Sequence, residues 1–421
     1  TLQTLALFSS HPCNAPCLIV APTSVCSNWL AEMERFTPDL RPRLFAETER
    51  ESALDNLSGK DVVIVSYGLL VREVEKFQQI SWTNLVLDEA QAIKNPDTQR
   101  FKAAVALKAD FRLATTGTPV ENRLDEIWAL FEFLNPGLLG TRKAFDQAYS
   151  GADDSEQKRE SLRRLLAPFI LRRLKSEVLQ DLPPRTDVNL EVKLTKEERL
   201  HYESLRLHAL ERLSDAEKQD AITILAEITK LRRACCHPRL VDSTSKLEGS
   251  KLKMLLRLLS DLKEGGHRAL VFSQFVGHLE MVSAALKTAG FSFLYLDGTT
   301  PARTRGKLVK EFQEGDADFF LISLKAGGTG LNLTAANYVV HLDPWWNPAV
   351  EDQASDRAHR IGQKQPVTVY RLITKDTIEE QIIALHKEKR DLADQLLAGT
   401  DKAAKMSAEE LMKLLRESFG G

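Results

Sequence analysis

The sequence predicts an α/β protein built as two parallel-sheet lobes with helical segments between them. Three observations predict it. Short apolar, β-branched runs alternate with longer helical patterns, as parallel βα units require. The alternation occurs in two separate blocks. Between the blocks, from near Pro136 to Lys263, the pattern is almost wholly helical and is punctuated by Pro168 and Pro183-Pro184. At roughly 100–200 residues per domain, a chain of this size suits two or three domains.

The strands follow in order. In the first block they are Cys17–Ala21 (CLIVA), Asp61–Ser66 (DVVIVS), Asn84–Leu87 (NLVL) and Phe111–Thr115 (FRLAT). The second block supplies Arg268–Ser273 (RALVFS), Phe291–Leu296 (FSFLYL), Asp318–Ser323 (DFFLIS), Asn337–Leu342 (NYVVHL) and Val367–Leu372 (VTVYRL). Near the end, Thr377-Ile-Glu-Glu380 has capping-box spacing for a helix closing near Gly399.

Composition excludes several classes. The chain is 43% hydrophobic and 28% charged, the balance of a globular protein and not of a disordered one. No apolar run is long enough for a membrane span, and the first residues lack a signal-peptide pattern. The formal charge is −2, so any nucleic-acid contact must come from local basic surface, such as Lys158–Arg164 and Arg172-Arg173. Five cysteines, an odd count with Cys235 and Cys236 adjacent, do not form a disulfide framework. The Cys235-Cys236-His237 run has no second paired cluster to complete a tetrahedral zinc site.

Four loops could carry chemistry. Asn84-Leu-Val-Leu-Asp-Glu-Ala-Gln91 ends an apolar strand on two adjacent carboxylates, at the sheet edge where α/β proteins bind ligands. Asp88 is placed to hold Mg²⁺ and Glu89 to polarise a water; equally, the two could simply begin a helix. Ala114-Thr-Thr-Gly-Thr-Pro119 offers hydroxyls for a phosphate backbone, or a plain turn. Ser323-Leu-Lys-Ala-Gly-Gly-Thr-Gly-Leu-Asn332 is glycine-rich but lacks the spacing of a primary nucleotide loop. Arg357 and Arg360, three apart, would share one helical face and suit phosphate oxygens, or form a solvated basic face with Asp352 and Asp356.

The joint order of these motifs resembles the Swi/Snf (switch/sucrose-nonfermenting) family of helicase superfamily two. The carrying segments are Ala21-Pro-Thr-Ser24 with Asn28-Trp29, Asp88–Asn95, Thr116-Gly-Thr-Pro-Val-Glu-Asn122, Phe169–Arg173, Val271-Phe-Ser-Gln-Phe275, Leu296-Asp-Gly-Thr299, Gly327–Asn332, Asp343-Pro-Trp-Trp-Asn-Pro348 and Gln353–Gln363. The resemblance implies two RecA-like lobes. The first would be 1–185 with a helical insertion at 136–185, then a helical protrusion or linker at 186–245, a second lobe at 246–385 and C-terminal helices at 386–421. It implies a DNA-dependent ATPase that uses ATP and Mg²⁺ to move along double-stranded DNA and to remodel or displace DNA-bound protein, working as a monomeric motor. The motor would be in the cytoplasm with the nucleoid if bacterial and in the nucleus if eukaryotic.

By the same resemblance, Asp88 would hold Mg²⁺, Glu89 would activate water, and Gln91 would couple the site to the second lobe. Gly330 would lie near nucleotide, and Arg357 and Arg360 would be arginine fingers. Backbone contacts to the duplex would come from Thr23, Ser24, Asn28, Thr118, Asn122, Ser273, Lys325 and Thr329. Apart from the resemblance, Trp345 and Trp346, set between prolines in a turn, read as packing at the lobe interface and not as stacking on bases. The family's Asp-Glu-Ala-His variant is Asp-Glu-Ala-Gln here. The opening Thr1-Leu-Gln-Thr matches the residues that end the family's phosphate loop, so Thr1 would be the Mg²⁺-ligating hydroxyl of a loop whose lysine is absent. A molecule starting there would be inactive alone. Two alternatives remain: a strand-separating helicase, and a degenerate motor acting as a DNA-binding scaffold.

Overall fold

The computed structural model describes residues 1–10, 14–46, 52–117, 124–149, 156–171, 173, 181–213, 221–327, 331–385, 412, 415 and 416. They divide at Arg173 into two compact units.

The first unit runs α1 (Leu2–Ser10), β1 (Cys17–Ala21), α2 (Thr23–Phe36), β2 (Arg41–Phe45), β3 (Asp61–Ser66), α3 (Tyr67–Arg72), α4 (Val74–Gln78), β4 (Ser81–Asp88), α5 (Gln99–Val105) and β5 (Lys108–Thr115), followed by α6 (Leu124–Leu134), α7 (Arg142–Tyr149) and α8 (Glu156–Leu166). Its sheet is parallel throughout, in the order β2-β3-β1-β4-β5. Both faces are covered, so β1 and β3 are buried at every position and carry unbroken apolar stretches (CLIVA, VVIV), the expected state for parallel sheets. Alternate residues feed two cores. Leu18, Val20, Val63, Val65, Leu85 and Leu87 enter one; Cys17, Ile19, Val62, Ile64 and Val86 enter the other. Each such side chain contributes about 1.5–3 kcal/mol by leaving water. The helices after β5 carry a small core of their own around Phe131, Phe145, Leu162 and Leu166.

The second unit runs β6 (Arg185–Val192), α9 (Lys196–Arg212), α10 (Ala221–Cys236), α11 (Ser250–Glu264), β7 (Ala269–Ser273), α12 (Val276–Thr288), β8 (Phe293–Leu296), α13 (Ala302–Glu314), β9 (Phe319–Ser323), α14 (Leu324–Gly327), β10 (Tyr338–His341), α15 (Pro348–Ser355) and β11 (Val367–Thr374). The sheet is again parallel, in the order β6-β11-β10-β7-β9-β8. Leu270, Phe272, Phe320 and Ile322 pack on one side of it, and Val271, Phe319, Leu321 and Val340 on the other.

Two strands depart from the sequence expectation. β2 (RPRLF) holds a proline, tolerated because it pairs on one side only. β6 lies inside the stretch expected to be almost wholly helical. It pairs along its full length with β11, so Arg185–Val192 belongs to the second unit's sheet. Its alternating polar pattern reflects a half-exposed edge. The helix expected to open at Thr377 does so. The Thr377 hydroxyl accepts from Glu379 N, while Glu380 accepts from Asp376 N and not from the cap residue's own amide.

Candidate functional site

In the first sheet the chain reverses its direction of strand addition around β1, with β3 on one side and β4 on the other. The carboxyl ends of β1 and β4 therefore form a topological switch point, where α/β sheets bind ligands. Asp88 closes β4 at this point. Its Oδ2 accepts from Trp29 Nε1 of α2 at 2.9 Å, and its Oδ1 accepts from Thr115 Oγ1 of β5 at 2.8 Å and from Glu89 N at 3.0 Å. The Tyr67 hydroxyl donates to the Asp88 carbonyl at 2.9 Å. Elements on both sides of β4 thus fix this carboxylate.

The surroundings respond to its charge. Burial, and then the Asp88 and Glu89 carboxylates, push the Tyr67 phenol well above its ordinary range, so it stays a donor. Burial, with Asp88 nearby, pushes the Cys26 thiol up to about 12.

Glu89 lies in the left-handed region, at φ 50° and ψ 54°. For a residue with a Cβ this costs about 1–2 kcal/mol. Strain of this kind collects at functional sites. No side-chain cap closes the 3₁₀ turn Ala90–Ile93 that follows, so the helix-start reading of the two carboxylates is not the one realised. Instead Gln91 Nε2 donates to Glu89 Oε2 at 2.8 Å, and Thr116 Oγ1 donates to Gln91 Oε1 at 2.8 Å. This relay joins the acidic pair to the Thr-Gly-Thr-Pro loop.

Asp88 also suits a hard cation. An ionised carboxylate offers about four lone-pair sites. Trp29, Thr115 and the Glu89 amide use three, leaving one on Oδ2, the kind of oxygen donor Mg²⁺ selects. Thr1 is exposed at the start of α1, where its carbonyl accepts from Leu5 N.

In the second unit, Arg357 and Arg360 do not share a helical face. α15 ends at Ser355 and gives way to turns, where i→i−3 bonds (Arg357 N to Ala354 O, Ala358 N to Ser355 O) mix with an i→i−4 bond (His359 N to Ser355 O). Both arginines stand on the turn that follows. Arg357 is buried, its carbonyl accepting from Leu333 N, and Arg360 Nη1 donates to Leu331 O at 3.3 Å.

Gln363, the last residue of the Gln353–Gln363 segment and given no role by the sequence, secures that turn. Its Nε2 donates to the carbonyls of Thr334, Ala336 and Ala358, and its Oε1 accepts from the amides of Lys364 and Gln365. The signal for it was only a glutamine beside Gly362, whose φ is 102°.

Of the residues expected at a nucleic-acid backbone, Thr23 is exposed at the first position of α2 and Lys325 is exposed on α14. Asn28 is half-buried and donates to Glu32 at 3.1 Å. Ser273 is 2% exposed and its hydroxyl donates to Asp343, so it faces inward and not toward a surface. Thr118, Asn122, Thr329 and Gly330, with the side chain of Ser24, lie outside the described residues. Trp345 and Trp346 pack inside the second unit, about the guanidinium of Arg232.

Residues 1–240 match the SNF2-related domain, and residues 250–362 match the helicase conserved C-terminal domain. A putative ATP-dependent helicase/translocase of Bacillus subtilis is 38% identical over 98% of this chain and 47% of its own length. The human SWI/SNF-related matrix-associated actin-dependent regulator of chromatin subfamily A member 1 is 33% identical over 99% of this chain and 43% of its own. The chain thus spans less than half the length of these curated relatives. Among solved structures, the Sulfolobus solfataricus SWI2/SNF2 ATPase core in complex with dsDNA is 33% identical, covering 98% of this chain and 89% of that one, with a TM-score of 0.46. With the first domain match covering more than half of its residues, the chain belongs to the SNF2-related family.

Proposed function

We propose that this chain is the motor core of an ATP-dependent translocase on double-stranded DNA that remodels or displaces DNA-bound protein. The observation that carries the reading is the Asp88–Glu89 pair at a sheet switch point, one carboxylate clamped by three donors and the other held in a strained backbone. The family match and the relatives' description as ATP-dependent helicases support it.

Asp88 would hold Mg²⁺, with the Thr1 hydroxyl as a further ligand; bound with ATP, the ion supplies charge neutralisation on the phosphates. Glu89 orients the attacking water and takes its proton at Oε1, while Gln91 holds Oε2 and so keeps the carboxylate in one rotamer. The Thr116 hydroxyl on Gln91 ties that posture to the loop at 116–122, through which backbone contact would report on the acidic pair. Arg357 and Arg360 are assigned to triphosphate oxygens, with Gln363 fixing the turn that carries them and Gly330 close to the nucleotide.

Backbone grip is assigned to Thr23, Ser24, Asn28, Thr118, Asn122, Lys325 and Thr329. Ser273 acts from inside by holding Asp343. Contacts of this kind go to phosphate, so binding should show little sequence preference and fall steeply with salt. The motor works as a monomer, in the nucleoid-containing cytoplasm or the nucleus according to its host. Among the described residues no helix is long and apolar enough to cross a membrane.

The test uses protein expressed from its complete coding sequence. ATP hydrolysis should be stimulated by intact duplex, triplex displacement should occur without strand separation, and Arg360→Ala should abolish the stimulated turnover. Turnover indifferent to duplex DNA, or unchanged in Arg360→Ala, overturns the reading.

A further inference from the structure

The second sheet has a switch point of its own. β7 lies between β9, added before the chain reverses, and β10, added after it. Ser273 ends β7, and Asp343 follows β10 by two residues. The Ser273 hydroxyl donates to one Asp343 oxygen, and Gln274 N donates to the other at 3.1 Å.

Two further side chains arrive at the same place. Cys236 comes from the last turn of α10 and His278 from the first turn of α12. The ligand atoms of Cys236, His278 and Asp343 lie within 4.8 Å of one another, and all three residues are buried. His278 is 0% exposed, yet neither of its ring nitrogens has a hydrogen-bond partner. Buried polar atoms are rarely left so, and those that are mark an ion, a water or a strained site.

We propose that Cys236, His278 and Asp343 form a zinc site at this second switch point. One sulfur, one imidazole nitrogen and one carboxylate oxygen make a borderline-soft donor set that suits Zn²⁺ better than Mg²⁺ or Ca²⁺. Tetrahedral zinc spaces its ligand atoms about 3.5 Å apart, so the observed cluster needs to contract by about 1 Å. A water would take the fourth vertex.

The supporting groups fit the assignment. Ser273 and the Gln274 amide orient the carboxylate, the usual task of groups behind a metal ligand. Of the two cations nearby, Lys251 is fully engaged and Arg232 only in part, its Nε having no hydrogen-bond partner. Lys251 is held by both oxygens of Glu379 at 2.7 and 2.6 Å. Arg232 donates to the Pro344 carbonyl at 2.5 Å and lies over Phe275, Trp345 and Trp346.

His237, the sequence neighbour of Cys236, is excluded as a ligand. Its Nε2 meets the Glu248 carbonyl and its Nδ1 accepts from Arg239 N. Zinc binds the thiolate form of Cys236, so binding releases the thiol proton to solvent. The bound ion would pin α10 to α12 and to the exit of β10.

The test loads the full chain, with any affinity tag removed, with Zn²⁺ in reducing buffer, then desalts it. Equimolar retained zinc by elemental analysis is expected. Cobalt(II) in place of zinc should give a thiolate-to-cobalt charge-transfer band, lost in Cys236→Ser. His278→Leu puts an apolar side chain where an unsatisfied imidazole stood, so it should fold; it should bind zinc at least about 100-fold more weakly. Its thermal midpoint should no longer respond to zinc. Wild-type protein that retains no zinc, a folded His278→Leu that retains as much as wild type, or a charge-transfer band that survives in Cys236→Ser overturns the proposal.

Discussion

Thr115→Val removes one donor from Asp88 while keeping the branched shape of the side chain. In the wild type Oδ1 accepts from the Thr115 hydroxyl at 2.8 Å and from Glu89 N at 3.0 Å, while Trp29 holds Oδ2. A hydrogen bond to a charged group contributes about 1.5–3 kcal/mol. Thr115 is half-buried, so water replaces part of that loss and the low end applies. About 1.4 kcal/mol corresponds to a tenfold change in an equilibrium. Losing a group behind a metal ligand elsewhere costs about 10–100-fold, and the two estimates meet near tenfold. The assay is DNA-stimulated ATP hydrolysis titrated with Mg²⁺, on protein expressed from its complete coding sequence. Thr115→Val should need about tenfold more Mg²⁺ for half-maximal rate. Thr115→Ser, which keeps the hydroxyl, should behave as wild type. An unchanged Mg²⁺ requirement in the valine variant, with the serine variant equally unaffected, would refute the idea that Thr115 positions Asp88.

Glu89→Gln should lower turnover by about 10²–10⁴-fold while leaving duplex binding intact, read by ATPase rate and mobility shift side by side. Lys251→Met leaves Glu379 buried without its cation, since the pair is 1% and 0% exposed, and should cost about 3–5 kcal/mol in chemical denaturation. The double variant with Glu379→Leu should recover most of that loss. His341 is held neutral by burial, which pushes it down to about 4. The unfolded chain therefore takes up a proton first, and stability present above about pH 6.5 falls as pH drops toward 4, by roughly 3 kcal/mol in all. His341→Gln should flatten that part of the stability–pH curve measured by urea titration.

The central strands were legible because parallel strands buried on both faces are written with unbroken apolar runs, of which CLIVA and the VVIV of β3 are examples. β2 and β6 were not, because an edge strand faces water on one side and its sequence admits Pro42 or an alternation such as RTDVNLEV. The acidic pair stood out as carboxylates at a strand's end, yet their posture did not. Trp29 reaches Asp88 from 59 positions away, a relation no local pattern encodes. Three-residue spacing is common to a helix and a turn, so the spacing of Arg357 and Arg360 does not tell the two apart; after Ser355 the backbone bonds mix i→i−3 with i→i−4 and the helix gives way to turns. Cys236, His278 and Asp343 look unrelated in the sequence, since three different elements bring them together.

The pairing of β6 with β11 has a consequence for how the molecule is made and cut. β6 begins at Arg185 and its partner at Val367, so nearly all of the second unit must be synthesised before the pairing can form. Contacts of such long range close slowly. Until then one face of β11's future neighbour waits as an unpaired edge, open to other chains. A fragment begun at Ser250 would keep β7–β11 but strip the strand that covers β11, and should aggregate through that bared edge, whereas one begun before Arg185 carries its own cover.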